Sequence, residues 1–589
     1  MTKYNIVLIF LAVSGLLFSC NNQLDLPTDG RITMDQVFSD YNRTRGYLNS
    51  CYGFVPAPYM DRASFTDEAQ DADDITPGSR YIVWYGGNIT SVTYPLYSVD
   101  NSPWGNLYVG IGKCNNFIES MKTATVYAPE GEKASWVAQA YVLRALYYLQ
   151  LIKRYGGVPI FDKPLDLKHD FSQDKRASFG EVVKFILADC DKALSYPATR
   201  DGLAWDIYDN QYGIMTRSVA YAIKSEAVTY AASPLWSDGT FSWADATTIN
   251  AEALSQCLAN GYKLFDEKPT ADIAQNAYAL YFFTGSNDQR AIDKETIYHA
   301  GTKMQVWKFA GMPTNPGMER TGPCPTQELV DSYEMANGEA PVTGYSDAAH
   351  LTPIVNPASG YKESDPYTGR DPRFYASIYY NGSVRNLDQP TGKKVETFVG
   401  GTEEISDINR KNTRTGYYMR KFNNYKSGQN NDADGAIRLF RLAELYMNFA
   451  ESAYQSAGPD VTVPVGATPM SARQAVNAVR ARAGMPAFPA GMTKDAFEKK
   501  YRNERRIEFA FEEHRFFDVR RWKVLDQTDK FVTGMRITKT GTTLNYKRFK
   551  FADRNAWSGK YLMYPIDQAE VNKVIGLSGN NWQNPGWLD

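Results

Sequence analysis

Residues 502–522 read RNERRIEFAFEEHRFFDVRRW, a stretch in which charged and aromatic side chains alternate more densely than a solvent-facing helix requires. Glu504 and Glu508 stand four apart and share a helical face with Phe497, Tyr501 and Phe511, so like charges meet beside apolar surface. Such a pair needs compensation. Arg505, Arg506, Arg515, Arg520 and Arg521 can supply it as bidentate carboxylate partners, which would lock the helix to its neighbours. A general acid and base are the competing reading, but this many guanidinium groups would erase the raised pKa such an acid requires. The pattern predicts an ion-paired structural helix over 493–525.

Outward from this segment the periodicity stays helical. Over 437–455, Leu439, Leu442, Ala443, Tyr446, Ala450 and Ala453 line one face and Arg441, Glu444, Asn448 and Glu451 another, a core helix with a solvated or ion-paired stripe. A further helix is predicted over 471–483. In the first half helices are predicted at 33–52, with Thr33 as cap, and at 104–121, 131–155, 178–194, 216–232 and 250–264. Within 131–155, Ala138, Val142, Ala145, Leu149 and Ile152 form one stripe and Tyr141, Tyr148 and Tyr155 a second, so the helix is packed on two sides and stops at Gly156-Gly157. Small contact residues such as Ala220 and Ala227 suit antiparallel pairs of the tetratricopeptide type, although no clean repeat of about 34 residues is present. Residues 65–103 read as loop. The long stretch 233–435, rich in Pro, Gly, Asn, Asp and aromatics, reads as short strands, turns and binding surface. Within it, Phe374–Tyr380 ahead of Asn381-Gly382 reads as a strand entering a hairpin.

The chain opens MTKYNIVLIFLAVSGLLFSC. Lys3 supplies a positive start, 6–17 an apolar run too short to span a bilayer, and Leu17-Phe18-Ser19-Cys20 a lipobox, so the chain is exported and lipidated at Cys20. The 64 basic and 66 acidic residues of the 589 nearly cancel, which argues against a general nucleic-acid partner. Aromatics are the excess, with 40 Tyr, 29 Phe and 11 Trp available for core and for stacking on ligands. Beyond Cys20, the cysteines Cys51, Cys114, Cys190, Cys257 and Cys324 are odd in number and show no C-x-x-C spacing; they read as packing residues rather than a zinc site.

The segment 502–522 resembles the signature of the SusD/RagB family of nutrient-binding outer-membrane lipoproteins. So, in order along the chain, do Trp136–Ile160, Thr216–Ala232, Pro325–Gly338, Asp371–Gly382, Ile437–Ala453 and Tyr564–Trp587. The resemblance implies a mostly α fold: a scaffold of four tetratricopeptide-like helix pairs forming an α-α superhelix, with a loop-rich ligand-binding side carrying short β-hairpins. It divides the chain into a signal peptide (1–19), a lipidated tether (20–32), an N-terminal helical region (33–235), a loop-rich binding side (236–435) and a C-terminal helical region (436–589), with 33–589 one globule. It also implies a protein without catalytic residues or cofactor, anchored in the outer membrane facing outward, that hands a glycan to a SusC-like TonB-dependent transporter. A peptide ligand, as in RagB-like members, is the alternative within the fold, and a glycoside hydrolase lipoprotein the alternative outside it. The tether Asn21-Asn22-Gln23 lacks the acidic run common in family leaders, so outward display is implied by the resemblance alone.

Sugar rings stack C–H faces on aromatic planes and offer hydroxyls to polar side chains. The stretch 80–88, RYIVWYGGN, mixes both classes in a region read as loop, and nominates Arg80, Trp84 and Tyr85. The irregular middle nominates Tyr281 and Trp307, with Trp243 behind them, whereas Trp104 opens a core helix and reads as structural. Asp67, Glu68, Asp71, Asp73 and Asp74 form an acidic knot without the spacing of a calcium loop, read as a polar turn rather than a metal site. Four scattered histidines and no Ser-His-Asp or Walker pattern leave catalysis without support.

Overall fold

A computed structural model describes residues 32–205, 213–267, 276–283, 292–299, 306–313, 317–384, 394–423 and 437–587. Cys20 and the signal segment lie outside the described residues, among which no helix is long and apolar enough to cross a membrane.

Helices carry the scaffold, and most start on side-chain caps visible in the sequence. Thr33 and Gln36 close a reciprocal capping box on the short turn Met34–Phe38; the chain then breaks, and Asp40 caps α1, Tyr41–Tyr52. There follow α2 (Pro103–Ser120), α3 (Glu130–Tyr155), α4 (Phe179–Leu194), α5 (Arg217–Ala232) and α6 (Trp243–Ala259). The last begins ahead of the predicted Asn250, because Ser242 and Asp245 form a capping box. Beyond the irregular middle come α7 (Leu442–Ser456), α8 (Ala472–Arg482), α9 (Lys494–Glu508), α10 (His514–Arg521) and α11 (Gln568–Ser578). Successive members pack on one another: α2 on α3, α3 on α4, α4 on α5, α5 on α6, α6 on α7 and α7 on α8. Tyr147, Tyr148, Leu149 and Leu151 of α3 are all fully buried, so this helix is enclosed on every side at its C-terminal half, beyond the two predicted stripes. All five cysteines after Cys20 are buried and free.

A second, smaller apolar cluster gathers Leu329, Phe374, Met419, Phe511, Met535 and Ile537 from the loop-rich side. Two-stranded antiparallel pairs frame it. Ala69–Asp71 pairs with Pro323–Pro325, Ile378–Tyr379 with Tyr418–Met419, and Phe531–Thr540 with Thr543–Asp553. The predicted strand at Phe374–Tyr380 is corrected: Asp371 caps a helix over Pro372–Ser377, with Pro372 in its first turn, and the remaining two strand residues find a distant partner instead of a local hairpin.

Buried ion pairs at Glu504 and Glu508 tie α7, α8 and α9 to this side. Arg373 Nη1 donates to Glu504 Oε1 at 2.6 Å and to Glu508 Oε2 at 3.1 Å, Arg480 Nη1 reaches Glu504 Oε2 at 2.5 Å, and Arg441 Nη1 reaches Glu508 Oε1 at 2.7 Å. Burial works to raise the Glu508 carboxyl, but Arg482, Arg441 and Arg373 outweigh it and hold it at about 2. Structural compensation is present, yet from other arginines than those nominated: Arg505 and Arg521 hold Asp518, Arg506 and Arg515 hold Asp67, and Arg520 donates to the Tyr561 and Phe516 carbonyls. Nor is 493–525 one helix. It breaks after Glu508, with Phe511 and Glu513 at φ +63° and +70°, which turns Glu512 toward Arg441 (2.8 Å) and Lys421 (2.7 Å).

Candidate functional site

The segment 65–103, read as loop, is structured. Met60–Phe65 forms a 3-10 turn, Ala69–Asp71 a strand, and Ser79 accepts the Tyr81 N–H to start a helix over Arg80–Gly86. That helix decides the fate of three nominated residues. Trp84, 1% exposed, is walled by Phe65, Tyr94, Phe516 and Tyr561, and has no open face for a ligand. Tyr85 is buried too, its hydroxyl donating to the Ser64 carbonyl and accepting the Asp71 N–H, both at 2.9 Å. Both nominations fail for one reason: in a helical turn these rings point into the core. Arg80 alone emerges, its side chain 32% exposed and its Nη2 donating to Asp61 Oδ2 at 2.6 Å.

Tyr281 is likewise corrected. It lies in the helix Ala277–Phe283, 1% exposed, with the Arg438 guanidinium stacked 3.9 Å from its ring centre and its hydroxyl 2.7 Å from Thr296 Oγ1. Trp307 stays half-buried in the one-turn helix Val306–Phe309. The chain returns beside it: the Glu319 N–H donates to the Lys308 carbonyl at 2.9 Å, and at Gly317 (φ +73°) a Cβ would come within 3.2 Å of the Trp307 ring. Trp243 opens α6 and packs on the larger core, while Val306 belongs to the smaller cluster, so the two tryptophans do not form one platform. Trp104 packs edge-on against Tyr155 at 5.0 Å, the structural role its position implies.

What joins Arg80 to the Trp307 segment is Arg320. Its Nη2 contacts both Asp61 oxygens at 3.0 and 2.9 Å, its Nη1 donates to Asp73 Oδ2 at 2.8 Å, and its guanidinium lies 6.0 Å from the Phe309 and Tyr81 ring centres. Arg410, 43% exposed at its side chain, grips the outer side of Asp73 with contacts at 2.6 and 3.0 Å. The acidic knot, read as a polar turn, is thus a buried and arginine-paired one. Asp67, Glu68 and Asp71 are buried, and arginines from distant segments neutralise most of the knot: Arg506 and Arg515 at Asp67, Arg320 and Arg410 at Asp73, Arg414 at Asp74. Burial pushes Glu68 up to about 7 and Asp71 up to about 6, although Arg506 and Arg320 respectively pull them down. At Asp67 burial also raises, but Arg506 and Arg515 win and the carboxyl lies far below its ordinary range.

Chemically this surface is a row of guanidinium groups, fixed by buried carboxylates, beside the partly open rings of Trp307 and Phe309. The Arg80 and Arg410 side chains stay partly exposed, and the Trp307 and Phe309 rings beside them are half-buried. Glu68, whose proton would suit a general acid, is 1% exposed and accepts the Phe511 N–H, sealed from a substrate. Among the described residues no group of three or more His, Cys, Asp or Glu is arranged to hold a metal ion. Asp61, Arg320 and Arg410 carry no local sequence signal, because Arg320 lies 259 residues from Asp61 and Arg410 lies 337 residues from Asp73.

The family model described as "SusD family" matches residues 283–587, and one described as "Starch-binding associating with outer membrane" matches 57–225. A SusD-like protein from Bacteroides fragilis superposes with a TM-score of 0.75 at 27% identity, covering 94% of this chain and 99% of that one. A SusD-like carbohydrate-binding protein from the same species gives 0.66 at 20% identity, over 91% of this chain and 98% of its own. A laminarin-binding SusD-like protein gives 0.52 at 20% identity, over 93% and 100%. SusD-like protein P38 of Formosa agariphila is 23% identical over 194 residues, which is 32% of this chain and only 36% of that relative's length. With its helical scaffold, short strand pairs and a family match over more than half its length, the chain belongs to the SusD family.

Proposed function

We propose that this protein is a non-catalytic, lipid-anchored capture protein of the outer membrane, which binds an oligosaccharide on the Arg80, Arg320, Arg410 and Trp307 surface and passes it to a SusC-like TonB-dependent transporter. The observation that carries the ligand class is the pairing of carboxylate-fixed guanidinium donors with half-open aromatic rings on one surface. Hydroxyl oxygens accept from the first and C–H faces stack on the second. Carbohydrate-binding relatives of the same fold support the reading. The anchor rests on the lipobox ending at Cys20.

A glycan and peptide binding screen on the chain starting after Cys20 tests the capture role. Glycans should bind, and Arg80→Ala or Trp307→Ala should weaken them. A ligand set of peptides alone would move the protein to the RagB-like alternative, and release of reducing ends from a glycan would return it to the hydrolases. Cys20→Ala should leave a folded protein that no longer partitions into the detergent phase; unchanged partitioning would refute the anchor.

A further inference from the structure

Asp61 and Arg62 are consecutive residues of the 3-10 turn Met60–Phe65, and they serve two different places. Asp61 holds Arg80 and Arg320 of the proposed capture surface, whereas Arg62 lines a cavity of about 380 Å³ bounded by 53–59, the turn at 99–106, α3, Glu226 of α5 and 512–517. Its walls are half apolar, from Phe54, Pro56, Leu107 and Phe517, and half polar. Ala57 and Asn101 are exposed and mark its mouth.

The charges around this cavity are engaged, most of them with one another, while Arg438 donates to the Tyr281 carbonyl at 3.0 Å and stacks on that residue's ring. Asp100 takes Arg154 through two contacts of 3.0 Å and also holds Arg62; Glu513 lies 3.1 Å from Arg62; Glu226 holds Lys153 at 2.5 Å; and Glu512 holds Arg441 and Lys421. A charged guest would have to break one of these buried pairs, so the cavity selects against it. Two lining donors lack a hydrogen-bond acceptor among the described residues: Arg62 Nε, which faces Glu513 as an ion pair at 3.1 Å, and the Gln150 amide. Gln150, 2% exposed, accepts from Arg154 Nη1 at its Oε1 (2.9 Å), while its Nε2 meets no acceptor among the described residues. A buried amide donor favours any acceptor brought to it. Around the rim, Asn101, Ser102 and Glu513 all hold positive φ (+54°, +49° and +70°), a conformation non-glycine residues adopt at a cost and which clusters at binding sites.

We propose that this cavity is a second binding site, for a neutral, hydroxyl-rich molecule of one or two sugar rings, with Gln150 Nε2 donating to a hydroxyl or ring oxygen and Phe54, Leu107 and Phe517 taking the apolar face. The volume falls in the range of small-molecule pockets, and the half-apolar, half-polar wall matches the two sides of a pyranose. The site is distinct from the Arg80 surface, and stands or falls without it.

Saturation-transfer NMR on the mature chain tests this, with D-glucose, D-galactose, D-mannose and maltose as probes and D-glucuronate and D-glucosamine as charged controls. At least one neutral sugar should receive saturation and both controls should not. Gln150→Met, which removes the donor at similar volume, and Ala57→Trp, which blocks the mouth from an exposed position, should each weaken the neutral sugar tenfold or more. Both cavity variants are made in a Trp307→Ala background, so that the Arg80 surface adds little to the signal they are compared on. No transfer to any neutral sugar would mean that water alone fills the cavity and would overturn the proposal. Equal binding of the charged controls would overturn it too, as would an undiminished neutral-sugar signal in both cavity variants.

Discussion

Arg80 and Arg320, from the two halves of the chain, hold the same carboxylate: Asp61 Oδ2 lies 2.6 Å from one guanidinium and 2.9 Å from the other. The proposed capture surface is thus assembled only when the N-terminal turn and the irregular middle meet. The two arginines differ in exposure, and that difference separates their roles. Arg80→Ala removes a one-third exposed partner and should cost roughly 1 kcal/mol of stability or less while weakening glycan binding. Arg320→Ala removes the buried cation that Asp61 and Asp73 share, leaves them only the partly exposed Arg80 and Arg410, and should cost about 3–5 kcal/mol. Chemical denaturation of both variants, with glycan titration of the folded fraction, checks the pair; equal destabilisation would contradict it.

The two nominated tryptophans should behave oppositely. Trp307→Ala should lower glycan affinity about threefold to tenfold, the worth of one stacked ring, with the melting temperature nearly unchanged. Trp84→Ala empties a core position among four aromatic neighbours and should cost about 3–5 kcal/mol. Calorimetric titration beside thermal melting distinguishes them, and a stable Trp84→Ala protein with lost binding would reverse the assignment.

Glu508 contacts Arg373, Arg441 and Arg482 at once. Glu508→Ala leaves three buried cations short of their counter-charge and should destabilise by about 3–5 kcal/mol or prevent folding. Reduced soluble yield or an early melt, with no change in affinity of any folded fraction, is the expected result. Loss of a hydrolytic activity in a fully stable variant would instead point to an enzyme.

Stability should be highest in mildly acidic solution. Burial lifts Glu444 to about 8, with Glu226 adding to it, and lifts Glu68 to about 7. Between the ordinary carboxylate range and these values the folded chain keeps protons that the unfolded chain has released, so their contribution is present at low pH and lost as pH rises through 7 to 8. Carboxylates held low by arginine, such as Glu508 at about 2, contribute above the ordinary range and lose that contribution as pH falls through their folded values. Melting temperature should therefore decline from about pH 5–6 toward alkaline as well as acid pH. Glu444→Gln, which mimics the protonated form, should flatten the alkaline side only, by an amount on the order of a few kcal/mol at pH 8. An unchanged alkaline slope in that variant would show that Glu444 is ionised throughout.

Periodicity, capping and glycine stops are local physics, and the sequence by itself placed α2, α3, α4, α5 and α8 to within a residue or two and fixed the mostly helical class. It also determined that Glu504 and Glu508 needed arginine partners, since two buried like charges on one face admit few other solutions. Which arginines answered was settled by tertiary structure: Arg373, Arg441, Arg480 and Arg482 are no nearer in sequence than many alternatives, and only packing of α7, α8 and α9 against the loop-rich side brings them within reach. The site divides the same way. Arg80 was legible as a polar side chain among aromatics, but whether Trp84 and Tyr85 faced solvent depended on a helical turn whose inward face is chosen by Phe65, Phe516 and Tyr561. Side-chain direction is a property of what packs against a segment, and two of the rings that pack on Trp84, Phe516 and Tyr561, lie hundreds of residues away.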